Sequence, residues 1–289
     1  MRMPPERDTR GARDRESGRG AALAGPGRLG QALGRLLVQA GVEIEWIAAR
    51  RPSAARAAAR FIGAGHPVTL HSPELSHARA LLLTTSDSAL PTVARSMAGQ
   101  RPSWHGCVVL HTSGAWPAGG TASVLEPFRR RGAAAASLHP LQTVPSRKAG
   151  VQNLTGCYWT IEGDPEAVRL ARRWVRALRG TALTIAPQQK AAYHAAAVMA
   201  CAGVVTLMES AERLMTSCGI APVQARKMLA GFVAETAKNF GRLGGPRSLT
   251  GPAVRRDWKT IRKHQAALRR QAPDLLPLYR ELLRLMLKL

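Results

Sequence analysis

Short apolar runs alternate along the chain with stretches of helical period. Ala21 to Ala24 is the first such run, an alanine-rich tetrad of poor intrinsic strand preference that only burial within a sheet would hold extended. Leu29, Leu33, Leu36 and Leu37 then share one stripe, predicting a helix from Leu29 to Ala40 that Gly41 stops. Val42 to Ala49 reads as a strand, Ser53 to Phe61 as a helix, Val68 to Leu70 as a short strand and Ala80 to Thr84 as a buried one. Further strands are predicted at Cys107 to Leu110, Ala134 to Leu138, Cys157 to Glu162 and Leu183 to Ala186, with helices at Leu90 to Ala98 and from Asp164-Pro165 to about Leu178. After Pro187 the strand pattern ceases. The remainder predicts helices near 188–216, 222–242, 257–271 and 274–288, broken at Cys218-Gly219, Gly244-Gly245-Pro246, Thr250-Gly251-Pro252 and Pro273.

Strands alternating with helices and then helices alone predict an α/β fold: a doubly wound, mostly parallel sheet over residues 21–186, followed by an all-helical domain over 187–289. Residues 1–20 mix arginine, acidic residues and glycine without apolar periodicity, and are expected to be a disordered tail. No repeat of twenty to fifty residues is visible.

Candidate chemistry collects at the ends of the predicted strands. Gly25-Pro26-Gly27-Arg28-Leu29-Gly30 joins the first strand to the first helix in the pattern of a dinucleotide-binding turn. Gly25 would permit the tight turn, Gly27 would clear the space a pyrophosphate needs, and Gly30 would let helix approach strand. The phosphates would sit on the helix N-terminus. Where NAD-selective folds carry an acid at the end of the second strand, this chain has Arg50-Arg51 with Ser53 nearby, which predicts NADP. Thr85-Ser86-Asp87, His111-Thr112-Ser113-Gly114 and His139-Pro140-Leu141-Gln142-Thr143 end later strands, and in an open parallel sheet such terminations face the ligand crevice. Ser113, Gly114 and His139 are therefore candidate substrate contacts. Lys190 and His194 lie one turn apart on the first helix after Pro187, and either could stabilise or protonate a carbonyl or imine that accepts hydride. Arg255, before a helix capped by Asp257, could clamp an anionic substrate. The plainer alternatives are a solvated Lys190, a structural His194 and turn histidines.

Composition narrows the class. The 289 residues, 45% hydrophobic, suffice for a real core. The net charge of +24 comes from an arginine bias spread over the whole chain, with only seven lysines among 42 basic residues and no interleaved aromatic motif, so no specific nucleic-acid partner is expected. No signal-like apolar segment and no stretch of membrane-spanning length are apparent, so the expected location is the cytoplasm, with no membrane partner. Cys107, Cys157, Cys201 and Cys218 are scattered without metal or disulfide spacing, and are expected to be reduced and buried. The histidines show no local metal-ligand spacing either.

The glycine turn, Ser137-Leu138-His139-Pro140-Leu141-Gln142-Thr143, Lys190 with Tyr193-His194-Ala195-Ala196-Ala197, and Leu249-Thr250-Gly251-Pro252 through Asp257 and His264 together resemble the bacterial Rossmann-like proteins that carry a DUF2520 domain. The resemblance covers nearly everything after residue 20. It implies an NADP oxidoreductase architecture akin to pyrroline-carboxylate reductases, β-hydroxyacid dehydrogenases and ketopantoate reductases, with a C-terminal domain like that of 6-phosphogluconate dehydrogenase and a homodimer formed through the long helices. In the wider dehydrogenase group a lysine and an asparagine stand one turn apart on this helix, which implies a catalytic role for Lys190 and puts His194 in the asparagine's place. Family members also often read Ala-Ser-Asn where this chain has Ala200-Cys201-Ala202. The expected activity is NADPH-dependent reduction of a small 2-oxo acid of the ketopantoate type, or of an imine acid. The alternative from another class is a non-catalytic NADP-binding sensor or scaffold.

Overall fold

The computed structural model describes residues 20–289, so the expectation for the N-terminal tail lies outside the described residues. Among the described residues, those up to Ala197 form one compact unit and Val198–Leu289 a second.

The first unit is built on an eight-stranded sheet: β1 (Ala21–Ala24), β2 (Ile44–Ala49), β3 (His66–Thr69), β4 (Ala80–Leu83), β5 (Val108–His111), β6 (Ala134–Pro140), β7 (Tyr158–Gly163) and β8 (Thr181–Thr184). Its spatial order is β3-β2-β1-β4-β5-β6-β7-β8. Helices α1 (Arg28–Gln39), α2 (Pro52–Ile62), α3 (Leu90–Ala98), α4 (Glu126–Arg129), α5 (Arg147–Leu154) and α6 (Pro165–Ala177) connect the strands. The alanine tetrad of β1 is fully buried between β2 and β4, so burial overrides its weak strand preference. Leu33, Leu36 and Leu37 of α1 pack on one face of the sheet with Leu23, Ile47 and Leu82. Trp104 and Phe128, in edge contact at 4.8 Å between ring centroids, fill the other face beside Leu81 and Leu83.

One pairing departs from the parallel expectation. β7 runs antiparallel to β6, with Ser137 opposite Glu162 and His139 opposite Thr160. The cause is α5, absent from the predicted elements, which packs on α1 instead of crossing the sheet: Gly150 is so close to Ala32 and Val144 that a Cβ there would lie 2.8 Å and 2.7 Å from them. The last strand is Thr181–Thr184, earlier than expected, and the third is His66–Thr69.

Helix α7 (Lys190–Val198) belongs to the first unit up to Ala197. A π-helical turn, Met199–Gly203, leads into α8 (Val204–Ser217), and α9 (Pro222–Leu243), α10 (Gly245–Ser248), α11 (Trp258–Gln271) and α12 (Leu276–Met286) complete the second unit. The helical stretch Pro187–Ser217, with a mean hydropathy of 1.6, is long and apolar enough to cross a membrane by length and composition, which corrects the expectation that no segment reaches that length. Its first residue positions are alanine-rich but anchor in the sheet unit through Lys190, which is buried. Cys107 and Cys157 are buried, whereas Cys201 and Cys218 are exposed because they sit on the helices of the second unit and not in the sheet's core.

Candidate active site

The glycine turn has the geometry its spacing implies. Gly25 has φ +80°, and a Cβ there would run into the Thr85 side chain and lie 3.0 Å from the Thr85 backbone nitrogen. A Cβ on Gly30 would overlap the Thr84 hydroxyl, which itself donates to the Gly25 carbonyl at 2.8 Å. Gly27 is different: nothing lies closer to its Cβ position than the Gly25 oxygen at 4.0 Å. Two glycines are thus required by packing, while the third keeps a space open.

Gly27 is also the N-terminal cap of α1, with no side-chain hydrogen bond satisfying the first-turn amides and no acid in that turn. It opens on a cleft of about 370 Å³ lined by Gly27, Arg28, Leu29, Thr84, Thr85, Ser86, Asp87, Thr112, Ser113 and Val144. The Thr85 hydroxyl is buried and has no hydrogen-bond partner among the described residues. Arg28 donates to the Pro145 carbonyl at 3.0 Å, so its guanidinium is tied to the chain next to Val144 of the cleft lining. Arg50 and Arg51 stand exposed at the end of β2, with Ser53 exposed in the first turn of α2, and neither arginine side chain makes a hydrogen bond or ion pair among the described residues. A cradle of unpaired amides, an orphaned hydroxyl and two unspent guanidiniums fits a phosphorylated dinucleotide.

The second cluster lies at the carboxyl ends of β5 and β6. Strand register puts His111 beside Ser137, and Ser137 opposite Glu162, so the three share a face of the sheet. All three are buried, and Lys190 from α7 joins them at 1% exposure. Lys190 Nζ hydrogen-bonds Ser137 Oγ and lies 3.8 Å from Glu162 Oε1. Glu162 in turn accepts the backbone N–H groups of Ala118 at 2.8 Å and Gly119 at 2.9 Å, one on each oxygen. Burial pushes the Lys190 ammonium down to about 8, with Glu162 first and Asp87 second opposing that fall. An ammonium has three donors, and Ser137 accepts one. Glu162 attracts the charge from beyond hydrogen-bond distance, which leaves donors unspent.

His139 and His111 are held neutral. Burial lowers His139 to about 3, the charges of Lys190 and His194 adding to the effect. Burial likewise lowers His111 well below the usual imidazole range, with Lys190 and His139 assisting and the Pro117 carbonyl opposing. His111 Nδ1 accepts from the Ser113 N–H at 3.1 Å, which places its proton on Nε2. His139 Nδ1 shares a 3.1 Å hydrogen bond with the Tyr193 hydroxyl, and the His139 ring stands edge-on to His194 at 5.7 Å.

The candidate residues read from sequence are not all brought together. Lys190, His194 and His139 come together. Ser113 lines the cleft, but its hydroxyl oxygen already accepts the N–H groups of Ala115 and Trp116, so it holds the turn and retains only its own proton for a ligand. Gly114 does not present a bare backbone to substrate: its side-chain position is taken by the His194 and His139 rings, 2.5 and 2.7 Å from where a Cβ would be. Lys190 is not a solvated first-turn lysine. Arg255 stands exposed in the second unit, just before the Asp257 cap of α11, and its side chain has no hydrogen bond or ion pair among the described residues. Sequence reading did not assign Glu162 or Ser137. The signal was present, since Tyr158, Thr160 and Glu162 alternate with buried Trp159 and Ile161 and mark a polar face on β7.

Residues 5–140 match the family model described as Rossmann-like domain, and residues 157–286 match the domain of unknown function DUF2520. The chain is a Rossmann-like protein carrying a DUF2520 domain. No curated protein matches it. Among solved structures, a candidate NADP oxidoreductase from Bacteroides fragilis is 21% identical with a TM-score of 0.74, over 93% of this chain and 98% of that one. A protein from Thermotoga maritima is 23% identical with a TM-score of 0.71, over 92% and 96%. A reductive aminase from Aspergillus terreus, crystallised with NADPH and ethyl levulinate, is 16% identical with a TM-score of 0.65, over 93% of each. At these identities the likeness is one of fold: a mostly parallel Rossmann-like sheet followed by a helical region.

Proposed function

We propose that this DUF2520 protein is an NADPH-dependent oxidoreductase that reduces a small carbonyl or imine, a 2-oxo acid of the ketopantoate type or an imine acid being the substrates to test first. The observation that carries this reading is the buried Lys190 ammonium, with donors to spare, set behind the strand ends that line the glycine-turn cleft. Gly25, Gly27 and Gly30 shape the turn, the first-turn amides of α1 and Thr85 with Ser86 receive the phosphates and adjoining sugar, and Arg50, Arg51 and Ser53 hold the 2′-phosphate. A bound nicotinamide would supply the hydride. Lys190 stabilises the negative charge that develops on the substrate oxygen or nitrogen and is the source of the proton, while the rings of His139 and His194, packed on Gly114, form the wall beside it. The crystallised reductive aminase, with NADPH and a keto ester, supports the same class of chemistry.

Exposed apolar side chains of the second unit, among them Met199, Val205, Phe232 and Phe240, support a homodimer formed through its helices. The near-complete burial of Lys190 favours a second reading, a sensor that binds the dinucleotide without turning it over. Oxidation of NADPH monitored at its nicotinamide absorbance against a panel of 2-oxo acids, ketones and cyclic imines tests the two. Steady turnover with at least one class is expected of the enzyme, and binding without turnover across the whole panel would establish the sensor.

A further inference from the structure

Among the described residues Glu162 is the buried acid, and the cofactor turn does not use it. It is 1% exposed, both its oxygens accept backbone N–H groups, and its nearest cation is Lys190. Its donors, Ala118 and Gly119, belong to the loop that begins at Ser113 and Gly114. That loop is fixed at its other end by the Ser113 hydroxyl, which caps Ala115 and Trp116. Gly119 sits so tightly on the carboxylate that a Cβ would lie 3.2 Å from Glu162 Oε2 and 3.0 Å from Pro187 Cγ. One carboxylate thus joins β7, the loop after β5, and the start of α7.

We infer that Glu162 is a positioning residue that sets both the place and the protonation of Lys190, and that it couples Lys190 to the loop carrying Ser113 and Gly114. This rests on the reading of Lys190 as the source of charge and proton. A lysine sunk at this depth loses its hydration, and without an anion nearby the neutral amine would prevail at working pH. Glu162 supplies that anion from 3.8 Å, beyond hydrogen-bond distance, while each of its oxygens accepts a backbone N–H. The ammonium therefore stays charged yet keeps N–H groups for another acceptor. The other groups that face Lys190 are Asp87 after β4, His111 on β5, Ser137 and His139 on β6, and, one turn along its own helix, His194. Of these only Asp87 carries negative charge, and its effect on Lys190 ranks below that of Glu162.

The test is a titration by nuclear magnetic resonance of protein labelled at the lysine Cε and glutamate Cδ carbons, the chain having only seven lysines. Lys190 is assigned by its absence from Lys190→Met. In the wild-type protein it is expected to titrate well below the ordinary lysine range. In Glu162→Gln its midpoint should fall further by at least about one pH unit, because the charge is lost while burial remains. Glu162→Asp, which keeps the charge one methylene short, should recover at least half of that shift. An unchanged Lys190 midpoint in Glu162→Gln would overturn the inference, as would an aspartate variant that behaves like the glutamine one. If the glutamine variant does not fold, the wild-type glutamate signal decides: a Cδ step at the Lys190 midpoint, absent from Lys190→Met, supports the coupling, and its absence refutes it. None of these readings needs turnover. Failure of the substrate panel would remove the oxidoreductase reading and leave the coupling standing, and the converse also holds.

Discussion

Lys190→Met is expected to lower the rate of NADPH oxidation by about 10²–10⁴-fold, the range for loss of a positioned proton-transferring group, while NADPH affinity changes less than about threefold. Lys190 contacts Ser137 and Glu162 and not the glycine turn, so hydride transfer should suffer and cofactor binding should not. Methionine retains the length and apolar contacts of the lysine stem. The pH dependence carries the same signature. Reduction needs the protonated ammonium, so kcat/KM should be level below about 8, where Lys190 titrates, and fall about tenfold per unit above it. The methionine variant should lack this limb. Equal losses of rate and cofactor affinity would instead mean that Lys190 supports the fold.

Gly27→Ala separates a nucleotide turn from a merely structural one. Its Cβ position is open, so the added methyl should cost less than about 1 kcal/mol of stability, mostly as a poorer helix cap. That methyl would project where a phosphate approaches the α1 amides, and NADPH affinity should fall at least about tenfold, which corresponds to about 1.4 kcal/mol. Gly30→Ala provides the contrast. There the methyl meets the Thr84 hydroxyl and Cβ, and a stability loss of about 1–3 kcal/mol is expected. Thermal unfolding and calorimetric titration of the two variants check both halves. Undiminished NADPH binding by Gly27→Ala would contradict the cofactor assignment.

The glycine turn could be read in the sequence because each glycine meets a local constraint, and the turn, helix and second strand lie within thirty residues of one another. The role of Lys190 could be read only halfway. Its helix was evident, but Ser137 and Glu162 reach it through the register of β5, β6 and β7, which no local spacing encodes. The antiparallel entry of β7 was hidden for a related reason. Helix α5 has little amphipathic contrast and carries Gly150, a residue that disfavours helices in isolation, yet close packing on α1 requires it there. Cys201 lies exposed in a π-helical turn near the start of the second unit, and the alanine-rich composition gives no sign of that turn.

Direct titration of the wild-type protein with NADPH and with NADH, followed by calorimetry at fixed salt, tests the central claim most directly. NADPH should bind at least about tenfold more tightly than NADH, a preference of about 1.4 kcal/mol or more, and Arg50→Ala with Arg51→Ala should erase it. Equal affinity for the two cofactors, a preference that survives loss of both arginines, or no binding of either would contradict it.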